Sequence, residues 1–169
     1  ERIVRVIWER FAEASRPLRV AWLSAAALAA HATVLGGGYV WLDHAHVEAG
    51  LALRRPAEFL SLFRTPFAGT GYYRPLTALS LSLDALAGRP WVFHVVNLAL
   101  HALAGILLVE ACLVLGVRRR AATLGGLLFL AHPLTSLVAG AIAFRSEALV
   151  AAGLFGAIVA HRRGPPQQA

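Results

Sequence analysis

The stretch VWLDHAHVEAG places Asp43, His44, His46 and Glu48 within six residues at the end of an apolar run. A carboxylate just outside a membrane helix can act as a general base or hold a divalent cation; the same Asp43 can equally serve as a helix N-cap for the following segment. The alternate spacing of His44, His46 and Glu48 suits metal ligation only on a strand. Farther on, FHVVNLALHAL sets His94, Asn97 and His101 three and four residues apart, on one face of a helix. Polar groups on such a face turn towards a bundle interior or a wet cavity. His94 and His101 stand roughly 10 Å apart along the axis, too far for one ion, so hydrogen bonding between helices is the expected role. Arg74 in GYYRPLTALSLSLDALAG and Arg145 in FRSEAL are suited to a bidentate grip on phosphate, or to a lipid headgroup or loop carboxylate. His132 precedes a proline and joins the polar interior set, while Glu110 either pairs with arginines or stays protonated.

These residues need a membrane scaffold. Of 169 residues, 58% are hydrophobic, and the mean hydropathy is +0.64, which excludes an ordinary soluble domain. All 16 basic residues are arginine against nine acids. The net charge of +7 is therefore read as a report of topology, with no nucleic-acid partner expected. The one cysteine, Cys112, excludes an internal disulfide. A chain that opens with Glu1 and holds no methionine is expected to be processed or a portion of a longer product.

The pattern predicts an all-α, polytopic helical membrane protein with about four transmembrane helices. Residues 1–19 carry an interfacial amphipathic helix, with Ile3, Ile7 and Phe11 against Arg2, Arg5, Glu9 and Glu13, ended or kinked by Pro17. The transmembrane module occupies 20–161, with spans at about 20–41, 91–117, 121–144 and 146–161 and an external loop of short amphipathic helices over 42–90. His132 and Pro133 make the third span either one kinked helix or a short span followed by a surface helix. Within the loop, Tyr72 and Tyr73 are interfacial anchors, and Leu76, Leu79, Leu83 and Leu86 form a stripe for the bundle or the bilayer surface. Residues 162–169 form a cytoplasmic tail.

Segments 1–19, 117–120 and 161–169 hold ten arginines, and the longer segments 42–92 and 138–147 hold the other six. Both termini are therefore expected in the cytoplasm, with the long loop outside. The intramembrane polar groups carry too few charges for a pore, which sets aside a channel.

Four ordered motifs, YYRPLTALSLSLDALAG, FHVVNLALHAL, RRRAATLGGLLFLAHPLTS and FRSEALVAAGLF, resemble the N-terminal half of the membrane O-mannosyltransferases that carry tetratricopeptide repeats, and their bacterial relatives. The resemblance covers about Tyr39 to Val159 and implies a GT-C-type N-terminal module. It implies that the first external loop supplies the catalytic acid, matched here by Asp43, and that the sugar arrives on a polyprenyl phosphate near Arg74, with transfer on the outer side; His94, Asn97, His101, His132 and Arg145 fall at family motif positions with architectural roles, and Arg145 is a phosphate candidate from its place at the water boundary alone. Leu42 stands where the family usually has a first acid, and Ser136 where it usually has Glu. Two readings follow. One is a module of a bacterial inner-membrane glycosyltransferase transferring a sugar from a polyprenyl-phosphate donor to an extracytoplasmic acceptor, with Asp43 as base or ligand of a divalent metal. The other is a non-catalytic small transmembrane subunit, derived from a truncated glycosyltransferase, that packs in a larger membrane complex. Membrane lipids and other membrane chains are the expected partners of both.

Overall fold

The computed structural model describes residues 14–48 and 56–164. The amphipathic pattern of the first thirteen residues and the last five residues of the tail lie outside them. Prolines decide where several helices begin, because a residue without an N–H costs nothing in a first turn whose amides have no partner. Helix α1, Arg16–His31, has Pro17 in that first turn and tightens into a 3-10 turn, Ala32–Gly36. Proline opens α2 (Pro75–Ala85), α3 (Pro90–Val114) and α5 (Pro133–Gly140). Between and after these lie α4 (Arg119–Ala131) and α6 (Arg145–Arg163). Helix α3 ends in a Schellman turn: Gly116, at φ +86°, donates to Leu113 O, and Val117 donates to Cys112 O.

This is an all-α polytopic membrane protein. Three helical stretches, Arg16–Gly36, Pro90–Val114 and Ile142–Arg163, are long and apolar enough to cross a bilayer. The pair α4 and α5, bent by 56° at His132, makes a fourth when taken as one span. The first apolar run leaves the α-helix at His31, short of the expected Trp41, where the chain runs into Gly36, Gly37 and Gly38. The last helix is longer than its apolar core, and its 19 residues cover about 28 Å.

Helix α3 is the hub, packed against α6, α4, α1 and α5. It runs antiparallel to α1: His94 near its start meets Gly38 O beyond the end of α1, whereas Glu110 near its end meets Arg19 in the first turn of α1. Helix α4 lies close against α3 because glycines face the contact. A Cβ on Gly126 would stand 2.3 Å from Val109 Cγ2, and one on Gly105 2.6 Å from Leu130 Cδ2. Leu23, Ala27, Leu98, Val109, Ala122, Leu130 and Ala139 fill this bundle core. A second core of Val47, Leu62, Phe67, Ala78, Leu81, Phe93 and Ile142 joins the loop between α1 and α3 to the start of α3 and the turn before α6. Helix α2 turns Thr77, Ala78, Leu81, Ser82 and Asp84 towards the protein and packs Leu79 against the second core, so of the expected leucine stripe Leu76, Leu83 and Leu86 are exposed.

Candidate functional site

The turn that links α5 to α6 gathers the polar residues of the membrane's loop side. Asp43, in the irregular helical segment that follows Trp41, is fully buried. Its Oδ1 accepts from Ala143 N at 2.7 Å and its Oδ2 from Val40 N at 3.1 Å. Asp43 thus ties the exit of the first span to the entrance of the last. Trp41, two residues earlier, takes φ +46°, an uncommon conformation for a bulky side chain, and packs its ring on Phe144 at 6.0 Å.

Asn97 completes the same turn from α3. Its Nδ2 donates to Val138 O at 2.9 Å, in the last turn of α5, and to Ala141 O at 3.2 Å, which also accepts from Phe144 N at 3.2 Å in the following 3-10 turn. Its Oδ1 accepts from Arg145 Nε at 2.6 Å. His94 and His101, on the same face, are also buried. His94 Nε2 bonds Gly38 O at 3.1 Å, and His101 Nε2 lies 3.2 Å from Leu130 O. His31 Nε2 reaches the same Leu130 carbonyl at 2.8 Å, so two histidines share the carbonyl next to the end of α4. His132 departs from expectation. It is exposed at the α4–α5 break, where the proline turns the chain, and its Nδ1 caps α5 by accepting from Leu134 N at 3.2 Å.

Arg145 also departs from expectation. The reading of it as a phosphate contact at the water boundary fails because its side chain is fully buried and its donors are spent inside the protein. Besides Asn97, they serve Ser80 Oγ at 3.1 Å and Phe93 O at 3.0 Å, and the guanidinium forms an ion pair with the carboxylate of Asp84 at 2.5 Å. Asp84, which the sequence reading passed over, is the counter-ion that lets an arginine enter the core. Burial raises its carboxyl above the usual range, and the adjacent Arg145 guanidinium opposes that rise.

Arg74 stands differently. It is half-buried at the head of α2, stacks over the Tyr72 ring at 5.0 Å, and donates through Nη1 to Ser146 Oγ at 3.1 Å. Ser146 in turn donates to Glu147 Oε2 at 2.7 Å. From this polar head a groove of about 700 Å³ runs between α2 and α6. Its walls are Leu76 and Thr77 on one side and Leu149, Val150, Leu154 and Phe155 on the other. A charged, hydrogen-bonding mouth over an apolar trough matches an amphiphile with an anionic head. The helix N-termini at Pro75 and Arg145 add positive field at that mouth, against the carboxylate of Glu147, which also lines the groove.

Asp43 does not line this groove. It is joined to it through one turn, since Ala143, which donates to Asp43, lies three residues before Ser146. The described residues do not assemble a metal centre: no group of three or more His, Cys, Asp or Glu side chains is placed to hold an ion. His44 pairs with Glu48 at 2.7 Å, and the Asp43 oxygens are turned to backbone amides.

At the other end of the bundle, buried Glu110 binds Arg19 at 2.6 Å and Arg16 at 3.3 Å, and it also pairs with Arg163. The neighbouring run of three arginines after α3 is not what it meets. Its partners come from the first turn of α1 and the last turn of α6, which the antiparallel packing brings alongside.

The chain is similar to curated protein O-mannosyl-transferases. It is 35% identical over 120 residues to protein O-mannosyl-transferase Tmtc2 of Drosophila melanogaster, a match covering 64% of this chain and 13% of that protein. It is 30% identical over 142 residues to tmtc2 of Xenopus laevis and over 143 residues to TMTC2 of Homo sapiens, each covering 78% of this chain and 17% of the relative. The chain thus spans less than a fifth of the length of these relatives. No protein-family model matches it, and no solved structure matches it.

Proposed function

We propose that the chain is the donor-binding part of a GT-C-like membrane glycosyltransferase that takes its sugar from a polyprenyl phosphate. The observation that carries this is the groove between α2 and α6, with Arg74 and Ser146 at its mouth and an apolar trough behind them. The phosphate would rest against the Arg74 guanidinium and the prenyl chain along Leu149, Val150 and Leu154. In transfer, an acceptor hydroxyl attacks the anomeric carbon and the bond from that carbon to the phosphate oxygen breaks. The polyprenyl phosphate leaves with an added negative charge, which Arg74 stabilises. Asp43 is the proposed proton acceptor, oriented by its two backbone amides. No cation is placed beside it, because the described residues around it do not supply further ligands. In this reading the loop side faces away from the cytoplasm of a bacterial inner membrane, both termini lie in the cytoplasm, and the acceptor is extracytoplasmic.

The similarity to protein O-mannosyl-transferases supports a mannose-type donor. The test is labelling by a photoreactive polyprenyl-phosphate mannose in membranes containing the intact protein. Crosslinks to residues 149–155, lost in Arg74→Gln, are expected; labelling unaffected by Arg74→Gln would refute the groove as the donor site.

One observation favours a second reading, in which the chain is a non-catalytic subunit packed with other membrane chains: the Asp43 carboxylate is closed off and occupied as a strut. Asp43→Asn separates the two. Loss of transfer far beyond any loss of donor-lipid affinity, with an unchanged thermal midpoint, assigns the base, whereas full transfer leaves Asp43 as a tie between spans.

A further inference from the structure

The end of the bundle opposite the Arg74 groove carries a second amphiphile-shaped feature. Arg16, Arg19 and Arg163 converge on the buried carboxylate of Glu110, so among the described residues of this cluster two positive charges are left in excess. Glu110 and Arg19 are 3% and 6% exposed at their side chains, whereas Arg16 and Arg163 are 64% and 44% exposed. The carboxylate therefore acts as a pin. It fixes three guanidiniums from two helices at the membrane boundary while two of them keep N–H groups directed outward, since each arginine carries five donors.

A trough begins beside this cluster. Between α1 and α3 lies an apolar groove of about 390 Å³, walled by Ser24, Ala27, Leu28, Ala99, Ala102 and Ile106 among others. Ile106 stands one helical turn above Glu110 on α3, and Ser24 five residues above Arg19 on α1. The lower end of the groove is thus within roughly 6–8 Å, along the axes, of the pinned guanidiniums. Ala27, Ala99 and Ala102 leave room between the larger Leu28, Leu98 and Ile106 for a flexible chain, and Ser24 is the one hydrogen-bonding side chain among the described residues of the lining.

We infer that this groove and arginine cluster form a site for an anionic glycerophospholipid, its phosphate on Arg16 and Arg163 and one acyl chain between α1 and α3. Charge complementarity chooses this occupant. A neutral lipid leaves the excess charge unmet, and a transmembrane helix would have to bring its own acid to the boundary, whereas an anionic headgroup brings the phosphate with the chain attached. The site is distinct from the Arg74 groove, which lies on α6 and α2 at the other end of the bundle.

The experiment is native mass spectrometry of the intact protein in neutral detergent, titrated with phosphatidylglycerol or with phosphatidylcholine of the same acyl chains. Phosphatidylglycerol is expected to bind roughly tenfold or more tightly, as two basic charges at a membrane surface would give. Arg16→Gln with Arg163→Gln is expected to remove that preference. Ala99→Phe, an exposed position in the groove that leaves every arginine in place, is expected to weaken phosphatidylglycerol binding as well. Equal binding of the two lipids, or variants that bind like the wild type, would overturn the inference. Displacement of phosphatidylglycerol by millimolar inorganic phosphate would also overturn it, by showing a free-anion site, and so would a co-purifying membrane chain released by Ala99→Phe without change in lipid binding.

Discussion

Removing Arg145 should be the most damaging single change at the loop side of this protein, and the structure says by how much. The guanidinium is fully buried, 2.5 Å from Asp84, and it also supplies Asn97 Oδ1, Ser80 Oγ and Phe93 O. In Arg145→Gln the carboxylate loses its counter-ion while remaining enclosed, and three further acceptors lose the guanidinium as donor. Breaking a buried pair by deleting one partner costs about 3–5 kcal/mol, which for a chain of this size lowers the thermal midpoint by roughly 6–20 °C. The loss should be recoverable. In Arg145→Met with Asp84→Leu no charge is left unpaired, and apolar replacement of a whole buried pair is often close to neutral. Thermal unfolding of purified protein in detergent, followed by retention on a sizing column, gives all the midpoints of the cycle. The double variant is expected to lie well above Arg145→Met and Asp84→Leu made singly, so the two positions are coupled by at least the roughly 3–5 kcal/mol that breaking the pair costs. An Arg145→Gln midpoint within a degree or two of the wild type would refute the burial argument. Loss of donor labelling in the stable double variant would restore Arg145 to the phosphate site.

Other outcomes follow from single contacts. Gly126→Ala should destabilise the α3–α4 contact by about 1–3 kcal/mol through overpacking against Val109, and Val109→Ala added to it should return part of that loss in the same assay. His132→Ala should cost about 1 kcal/mol by removing the α5 cap, without any effect on donor labelling, since the side chain is exposed at the helix break. Asn97→Leu should be more harmful than His132→Ala, because it strips the carbonyls at the end of α5 and Arg145 Nε together; equal midpoints for the two would contradict the assigned network.

Local chemistry explains what the sequence disclosed. Prolines at 75, 90 and 133 open helices because their missing amides fall where no helical bond is made, and the 3.6-residue period puts His94, Asn97 and His101 on one face before any coordinates are known. The Arg74 groove is half legible: its aromatic and basic mouth can be read in GYYRP, whereas its far wall comes from α6, more than seventy residues on. Long-range pairing is what escaped. Asp84 lies 61 residues from Arg145 and sits in an amphipathic helix where any acid reads as solvated. Arg19 is 91 residues from Glu110. Arg145 itself looked like a boundary residue because the apolar count starts just after it; the packing of α2 over the start of α6 encloses it instead.

That enclosure bears on how the loop-side residues act together. Asp43 holds Ala143, Asn97 holds the carbonyls of Val138 and Ala141, Arg145 is locked by Asp84, and Ser146 receives Arg74. Four side chains from separate segments thus fix one turn of nine residues, and the groove's arginine hangs from its last position. A tight core turns small changes into discrete shifts, so a substitution at Asp43 should move the Arg74–Ser146 contact even though Asp43 does not touch the groove. Asp43→Asn is therefore expected to weaken the binding of an unreactive polyprenyl phosphate modestly, besides any effect on transfer. Asp43→Ala, which removes both acceptors for backbone amides, should weaken it more. If donor-lipid affinity is unchanged in both variants while the Arg74→Gln variant loses it, the turn does not couple the two residues, and any role of Asp43 in transfer must be direct.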